Sequence, residues 1–164
     1  MRKNLPQKLL RELLKNSKRS DRDLANVLKV SQPTITRARH KLEKDGIIKD
    51  YTIVPDFKKM GFEIMTIILA KIRSDMLEPE VKEKAKAYVN KFPNAIFCSL
   101  GEGLGASLVA IVFNKNYTEY HQILNAARKE WGSFAKDFQS FVVAIGEEDL
   151  KRFSLSHLKD VPIE

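Results

Sequence analysis

Apolar residues recur at helical spacing through the first third of this chain, and the pattern then changes character. Leu5, Leu9, Leu10, Leu13 and Leu14 fall on one face of a helix over 5–16. Ser20 fits an N-cap, with Asp21 and Asp23 in the first turn, where the helix dipole favours carboxylates. That predicts a short helix over 21–28 and a tight turn at Lys29-Val30. Such turns often carry glycine. A left-handed lysine costs roughly 1 kcal/mol, unless the turn is built differently. Ser31 is a second N-cap, and Pro33 sits in a first turn, where its missing N–H costs nothing. The third helix runs to about Lys44 and stops at Asp45-Gly46, a glycine C-cap.

Leu24, Leu28, Val30, Ile35, Ala38 and Leu42 supply an interior, and Ala25 is small where two helices cross closely. This is the pattern of a helix-turn-helix, whose second helix enters the major groove of DNA. Its outward positions here are Gln32, Thr34, Thr36, Arg37, His40 and Lys41. These are donors and acceptors of the kinds that read base edges and hold phosphates. Ser31 and the N–H groups at the helix start suit a phosphate. Charge agrees: residues 1–60 hold 16 basic and 7 acidic side chains, while residues 61–164 are nearly balanced. A basic block of this kind attracts a polyanion.

Residues 47–54 read as a strand-like link, and a turn follows at Pro55-Asp56. The rest of the chain is apolar and β-rich. Strands are expected over 63–72, 95–100, 108–113 and 138–145, and helices over 80–92 and 117–131. Val81, Ala85, Val89 and Phe92 mark the inner face of the first of these helices; Tyr120, Ile123, Leu124, Ala127 and Trp131 mark that of the second. Asn116 and Glu119 form a capping-box pair. The order β-α-β-β-α-β is the ferredoxin-like split βαβ unit. Its strands do not alternate cleanly. Val109, Ile111 and Phe113 share one face while Leu108, Ala110 and Val112 share the other. Two helices cover only one face of such a sheet, so a second copy across a two-fold axis is the expected cover for the other. The fold class is therefore α+β. A helix-turn-helix domain is expected over 1–50, a linker strand over 51–62, a βαββαβ oligomerisation domain over 63–148, and a tail over 149–164 that packs as a short helix or arm.

Leu24-Ala25, Ser31, Leu42-Glu43, Gly46-Ile47-Ile48 and Tyr51, followed by this downstream half, resemble the Lrp/AsnC (feast/famine) family of transcriptional regulators over about residues 5–148. The resemblance implies a winged helix-turn-helix joined to an AsnC-type (RAM) domain. It implies double-stranded DNA as partner, a homodimer or a larger tetramer or octamer, and a possible small-molecule effector such as an amino acid. Two departures stand out. The first helix is led by basic rather than aspartate-rich sequence. Ala38-Arg39 stands where the family has Arg and an aliphatic residue, so Arg39 is expected to point out or to snorkel. Relatives form an effector pocket with a glycine at the bend that Gly101-Glu102-Gly103-Leu104-Gly105 occupies, followed by an aspartate. Gly101 matches the glycine. The aspartate is absent, leaving Glu102 as the nearest carboxylate, with Gly103 and Gly105 completing the candidate set. Read without the family, this stretch is a hairpin turn, since a nucleotide loop needs different spacing and a following helix.

No catalytic arrangement emerges, and no cofactor or metal site is implied. His40, His121 and His157 lack metal-ligand spacing, and Cys98, the sole cysteine, reads as a small buried hydrophobe. The alternative is an enzyme on the same scaffold, similar to siroheme decarboxylases, for which His121 is the only histidine in the sandwich half. No apolar run is long enough for a transmembrane helix, and the first residues lack a signal peptide's apolar core. The expected compartment is the cytoplasm, with no membrane partner.

Overall fold

The computed structural model describes residues 4–73, 79–147 and 149–162. The side chain of Val81 lies outside the described residues, and with it the inward position expected of it. Two compact units divide the chain: Met1–Val54 with Leu150–Glu164, and Pro55–Asp149.

The first unit is built on α1 (Leu5–Lys15), α2 (Asp21–Leu28) and α3 (Gln32–Lys44). Leu9, Leu13, Leu24, Ala25, Ile35 and Leu42 form its buried core, with Leu28, Val30, Ala38 and Ile48 packed around it. The caps explain the boundaries. Ser20 accepts from the Asp23 N–H at 3.1 Å, and Asp23 returns the bond to the Ser20 N–H, closing a capping box. Lys29 ends α2 in the left-handed region, at φ 54° and ψ 48°. At the end of α3, Gly46 takes φ +70°, and the Ile47 and Ile48 N–H groups bond back to the Leu42 carbonyl. The tail belongs to this unit. A 3₁₀ helix at Leu155–Asp160 packs on α1, a partner that the sequence did not disclose.

The second unit is β1 (Ile64–Ile72), α4 (Pro79–Val89), β2 (Ala95–Gly103), β3 (Ala106–Asn114), α5 (Tyr117–Trp131) and β4 (Ala135–Ala144). Its four strands lie in the order β2-β3-β1-β4, and every neighbouring pair is antiparallel. This is the split βαβ arrangement. Ile68 and Val112 pack with Tyr120 and Leu124 of α5 on the helix side. The opposite face carries Met65, Ile67 and Leu69, in register with Phe113, Ile111 and Val109. Phe141 pairs with Ile67 and Phe97 with Ile111, and both phenylalanines are exposed. Among the described residues, Phe57, at 4.2 Å between ring centroids, and Phe62 cover the corner at Phe113. Deep between helices and sheet, Asn114 Nδ2 donates to Thr66 Oγ1 at 3.0 Å, and Thr66 Oγ1 donates to the Val112 carbonyl.

Three expectations are corrected. No strand forms over 51–62 or 47–54. Residues 56–62 instead turn back on themselves through bonds from the Met60, Gly61 and Phe62 N–H groups to Asp56, Lys58 and Phe57 carbonyls. β-branched residues at 47–54 favour a strand, but a strand needs a partner edge. The bend at 101–105 is also tighter than expected. β2 runs on to Gly103, which pairs with Ala106, and the turn is Leu104-Gly105 at φ 51° and 73°. Positive φ at both positions is the two-residue hairpin turn that matches strand twist. The last strand begins at Ala135 rather than 138.

Candidate nucleic-acid interface

α3 presents Gln32, Arg37, His40 and Lys41 to solvent, along with Ser31 just before its first turn. Arg37 and Lys41 are one turn apart, and Lys44 continues the row, a position that sequence reasoning missed although i, i+3 spacing marks it. Arg37 Nε donates to the Pro33 carbonyl at 3.2 Å, which steadies the stem of the side chain. Ser31 makes no cap bond to the backbone. Its hydroxyl lies 2.8 Å from the half-buried Thr34 hydroxyl. The positive end of the helix dipole is at this terminus, where a phosphate is favoured.

Thr36 does not face outward as expected. Its hydroxyl donates to Asp21 Oδ2 at 2.7 Å, so it serves the contact between α2 and α3. Arg39 neither points out nor snorkels. Nε and Nη2 approach Asp21 Oδ1 at 2.8 and 2.7 Å, and Nη1 donates to the Tyr51 hydroxyl at 3.2 Å. The Tyr51 hydroxyl donates in turn to Glu43 Oε1 at 2.8 Å, and Glu43 Oε2 lies 3.1 Å from His40 Nδ1. This chain of polar contacts links α2, the second half of α3 with His40 of the outward row, and the segment after α3. Burial pushes the Tyr51 hydroxyl pKa up, and the neighbouring Glu43 adds to the rise, so the phenol stays a donor. For Asp21, burial works toward a higher pKa, but the bonds from Thr36 and Arg39 and the Arg39 charge prevail and hold the carboxyl below its ordinary value. It is an anion fixed between two helices.

The candidate effector residues follow directly on Ser99 and Leu100, which line a groove between α4 and β2. Gly101, Glu102, Gly103 and Gly105 are exposed at the end of the hairpin. His121 is exposed on α5 with its ring 4.6 Å from that of Tyr117, and Cys98 is half-buried on β2. Among the described residues no His, Cys, Asp or Glu group has the arrangement of a metal site, and no helix is long and apolar enough to cross a membrane.

A winged helix-turn-helix DNA-binding family model matches residues 4–49, the stretch that forms α1 to α3. The HTH-type transcriptional regulator LrpC of Bacillus subtilis is 36% identical over 90 residues, covering 55% of this chain and 59% of that protein, less than two thirds of its length. The solved LrpC structure superposes with a TM-score of 0.70 at 27% identity, covering 92% of this chain and 100% of that one. An uncharacterized HTH-type transcriptional regulator of Pyrococcus abyssi, PYRAB00690, is 27% identical over 90% of this chain and 93% of its own length. The L-Met complex of the regulator NMB0573 from Neisseria meningitidis shares the fold, with a TM-score of 0.74 at 21% identity over 96% of this chain and 99% of that one.

The chain shares the two-unit architecture of these regulators, a winged helix-turn-helix and a βαββαβ unit. Residues 4–49 match the winged helix-turn-helix DNA-binding family, and the chain as a whole is similar to Lrp/AsnC-type transcriptional regulators such as LrpC.

Proposed function

We propose that this protein regulates transcription by binding double-stranded DNA as a homodimer, each copy presenting α3 to one half-site. The observation that carries the reading is the exposed row Gln32, Arg37, Lys41 and Lys44 on a helix whose opposite face, Ile35 and Leu42, is buried in the core. Gln32 stands near the helix start, where base edges are read, and Arg37 and Lys41 suit phosphate or guanine. His40, held by Glu43, joins them at the rim, and Ser31 and Thr34 flank the helix terminus. Thr36 supports the helix from behind.

The uncovered apolar sheet face supports the dimer. Phe97 and Phe141 are 48% and 68% exposed there, beside the half-buried Ile67, Ile111 and Val109, and a contiguous exposed apolar patch of this kind marks an interaction surface. A second sheet closes it. Homologous regulators are named as such rather than as enzymes, and no observation favours the siroheme-type alternative. An amino acid, the class that NMB0573 binds in its L-Met complex, is the effector reading for the hairpin at Gly101, Glu102, Gly103 and Gly105. Because these residues are exposed in one copy, a pocket there needs walls from another.

The test is fluorescence anisotropy with a duplex from the gene's own upstream region, comparing wild type with Arg37→Ala and Lys41→Ala. Each should weaken binding by about 1–3 kcal/mol, and the variant that loses a phosphate contact should also lower the salt slope by about one. Unchanged affinity in both removes α3 from the interface.

A further inference from the structure

An open groove of about 690 Å³ runs between α4 and β2 in the second unit. Small-molecule sites occupy roughly 300–1,000 Å³, so it has the size of one. Ala85, Val89, Cys98, Leu108 and Trp131 line it, all of them half-buried, and they make its floor apolar. Its rim is different. Lys82, Lys86 and Asn90 recur at every fourth position, and all three are exposed. Residues four apart are neighbours on one helix face, so both lysines stand on the same side of the groove.

The groove is short of anions. No Asp or Glu among the described residues lines it. Lys82 has no ion pair among the described residues, and Lys86 Nζ pairs with Glu83 Oε1 at 2.6 Å. Both side chains of that pair are largely in water, 69% and 70% exposed, and an ion pair so placed is weak. Two ammonium groups one turn apart thus border an apolar floor without a firmly held counter-ion.

These features select a ligand. An apolar tail gains by leaving water for Val89, Leu108 and Trp131. A carboxylate at its end meets Lys82 and Lys86 at the rim, through charge-assisted hydrogen bonds and without being buried unpaired. An amine is repelled by the same two lysines. An α-amino acid would bring an ammonium to a groove that no carboxylate lines. We infer that the groove between α4 and β2 binds an apolar monocarboxylate, a medium-chain fatty acid or a branched or aryl counterpart, with Lys82 and Lys86 holding its carboxylate. The chemistry is distinct from that of an amino-acid effector at the hairpin. The inference does not rest on the DNA-binding reading, since only residues of the second unit take part.

Trp131 is the sole tryptophan of the chain and lines the groove, so its emission reports on the site directly. The full-length protein is titrated with octanoate, octylamine and 2-aminooctanoate, and the melting temperature is followed alongside. Octanoate should give a saturable emission change and raise the melting temperature. The other two compounds should bind at least about tenfold more weakly. Lys82→Gln combined with Lys86→Gln should weaken octanoate by about tenfold or more, and added salt should weaken it in the wild type but not in that variant. Lys82→Glu combined with Lys86→Glu should abolish the octanoate response and create one to octylamine. Both lysines are exposed, so these variants keep the fold. No saturable response to octanoate overturns the site. Equal binding of octanoate and octylamine by the wild type overturns the carboxylate preference. Octanoate binding unchanged in both double variants places it elsewhere and also overturns the site. A response seen only at dilutions where the protein is monomeric shows that a second copy fills the groove, and overturns the small-molecule reading.

Discussion

Arg39 and Asp21 lock the two helices of the DNA-binding motif together: Arg39 Nε lies 2.8 Å from Asp21 Oδ1, while Asp21 Oδ2 accepts the Thr36 hydroxyl at 2.7 Å. Asp21 stands in the first turn of α2, and Thr36 and Arg39 are on α3. One carboxylate thus does two jobs, complementing the α2 dipole and fixing the angle at which α3 is presented.

Asp21→Asn should therefore destabilise the first unit by about 1–3 kcal/mol, because a partly buried guanidinium loses its anion. It should also weaken DNA binding without touching a base. Chemical denaturation gives the first number and anisotropy the second. An unchanged denaturation midpoint would show that the contact contributes nothing.

The same contact sets a pH dependence. The folded Asp21 carboxyl titrates below its ordinary value, burial notwithstanding, through Thr36 and Arg39. Glu12 is lowered as well, first by its bond to Lys15, with Arg19 helping against burial. A depressed folded pKa contributes stability that is complete above the unfolded carboxylate range and is lost as pH falls through the folded value. Thermal melts from pH 7 down to pH 3 should show the loss of stability on the acid side, and Asp21→Asn should flatten it.

Lys29 takes a left-handed conformation with an exposed side chain, so Lys29→Gly relieves strain at little other cost. The expected gain is about 0.5–1 kcal/mol, seen as a rise in melting temperature. A fall would mean that the lysine side chain contributes a contact worth more than the strain.

Thr66 and Asn114 are both fully buried and bonded to each other, and Asn114 Oδ1 has no partner. Thr66→Val keeps the shape and removes the acceptor of the Asn114 amide. Destabilisation by about 1–3 kcal/mol is expected in denaturant titration, whereas a neutral result would show that the Val112 carbonyl satisfies the amide alone.

Phe141 projects from the open sheet face. Phe141→Asp should raise the dimer dissociation constant at least about tenfold, measured by sedimentation or light scattering across a dilution series. A variant that stays dimeric at the dilutions where wild type does would place the interface elsewhere.

The helices of the first unit were legible because a 3.6-residue period and cap residues such as Ser20 and Gly46 act locally. The side of α3 that meets α2 was not. Periodicity gives angles around one axis, and Thr36 lies at the border between faces, so its bond to Asp21, fifteen positions away in sequence, leaves no local trace. Arg39 misled for the same reason: a charge at an inward angle reads as exposed until its partner is known. Ile47–Val54 carries strand-forming residues, yet pairing depends on an edge elsewhere in the fold. The inward face of α5 was legible at Ala127 and Trp131, but the groove that Trp131 shares with Lys82 and Lys86 was not, because lysines on a helix read as a solvated face until a strand is placed beside them.

Sequence-specific DNA recognition is tested most directly by wild-type anisotropy on the gene's own upstream duplex against a scrambled duplex across a salt series. Binding to the native duplex is expected to be tighter by on the order of 10³ or more, with a steep salt slope on both. Equal affinity for the two, with and without added amino acids, would contradict sequence-specific recognition.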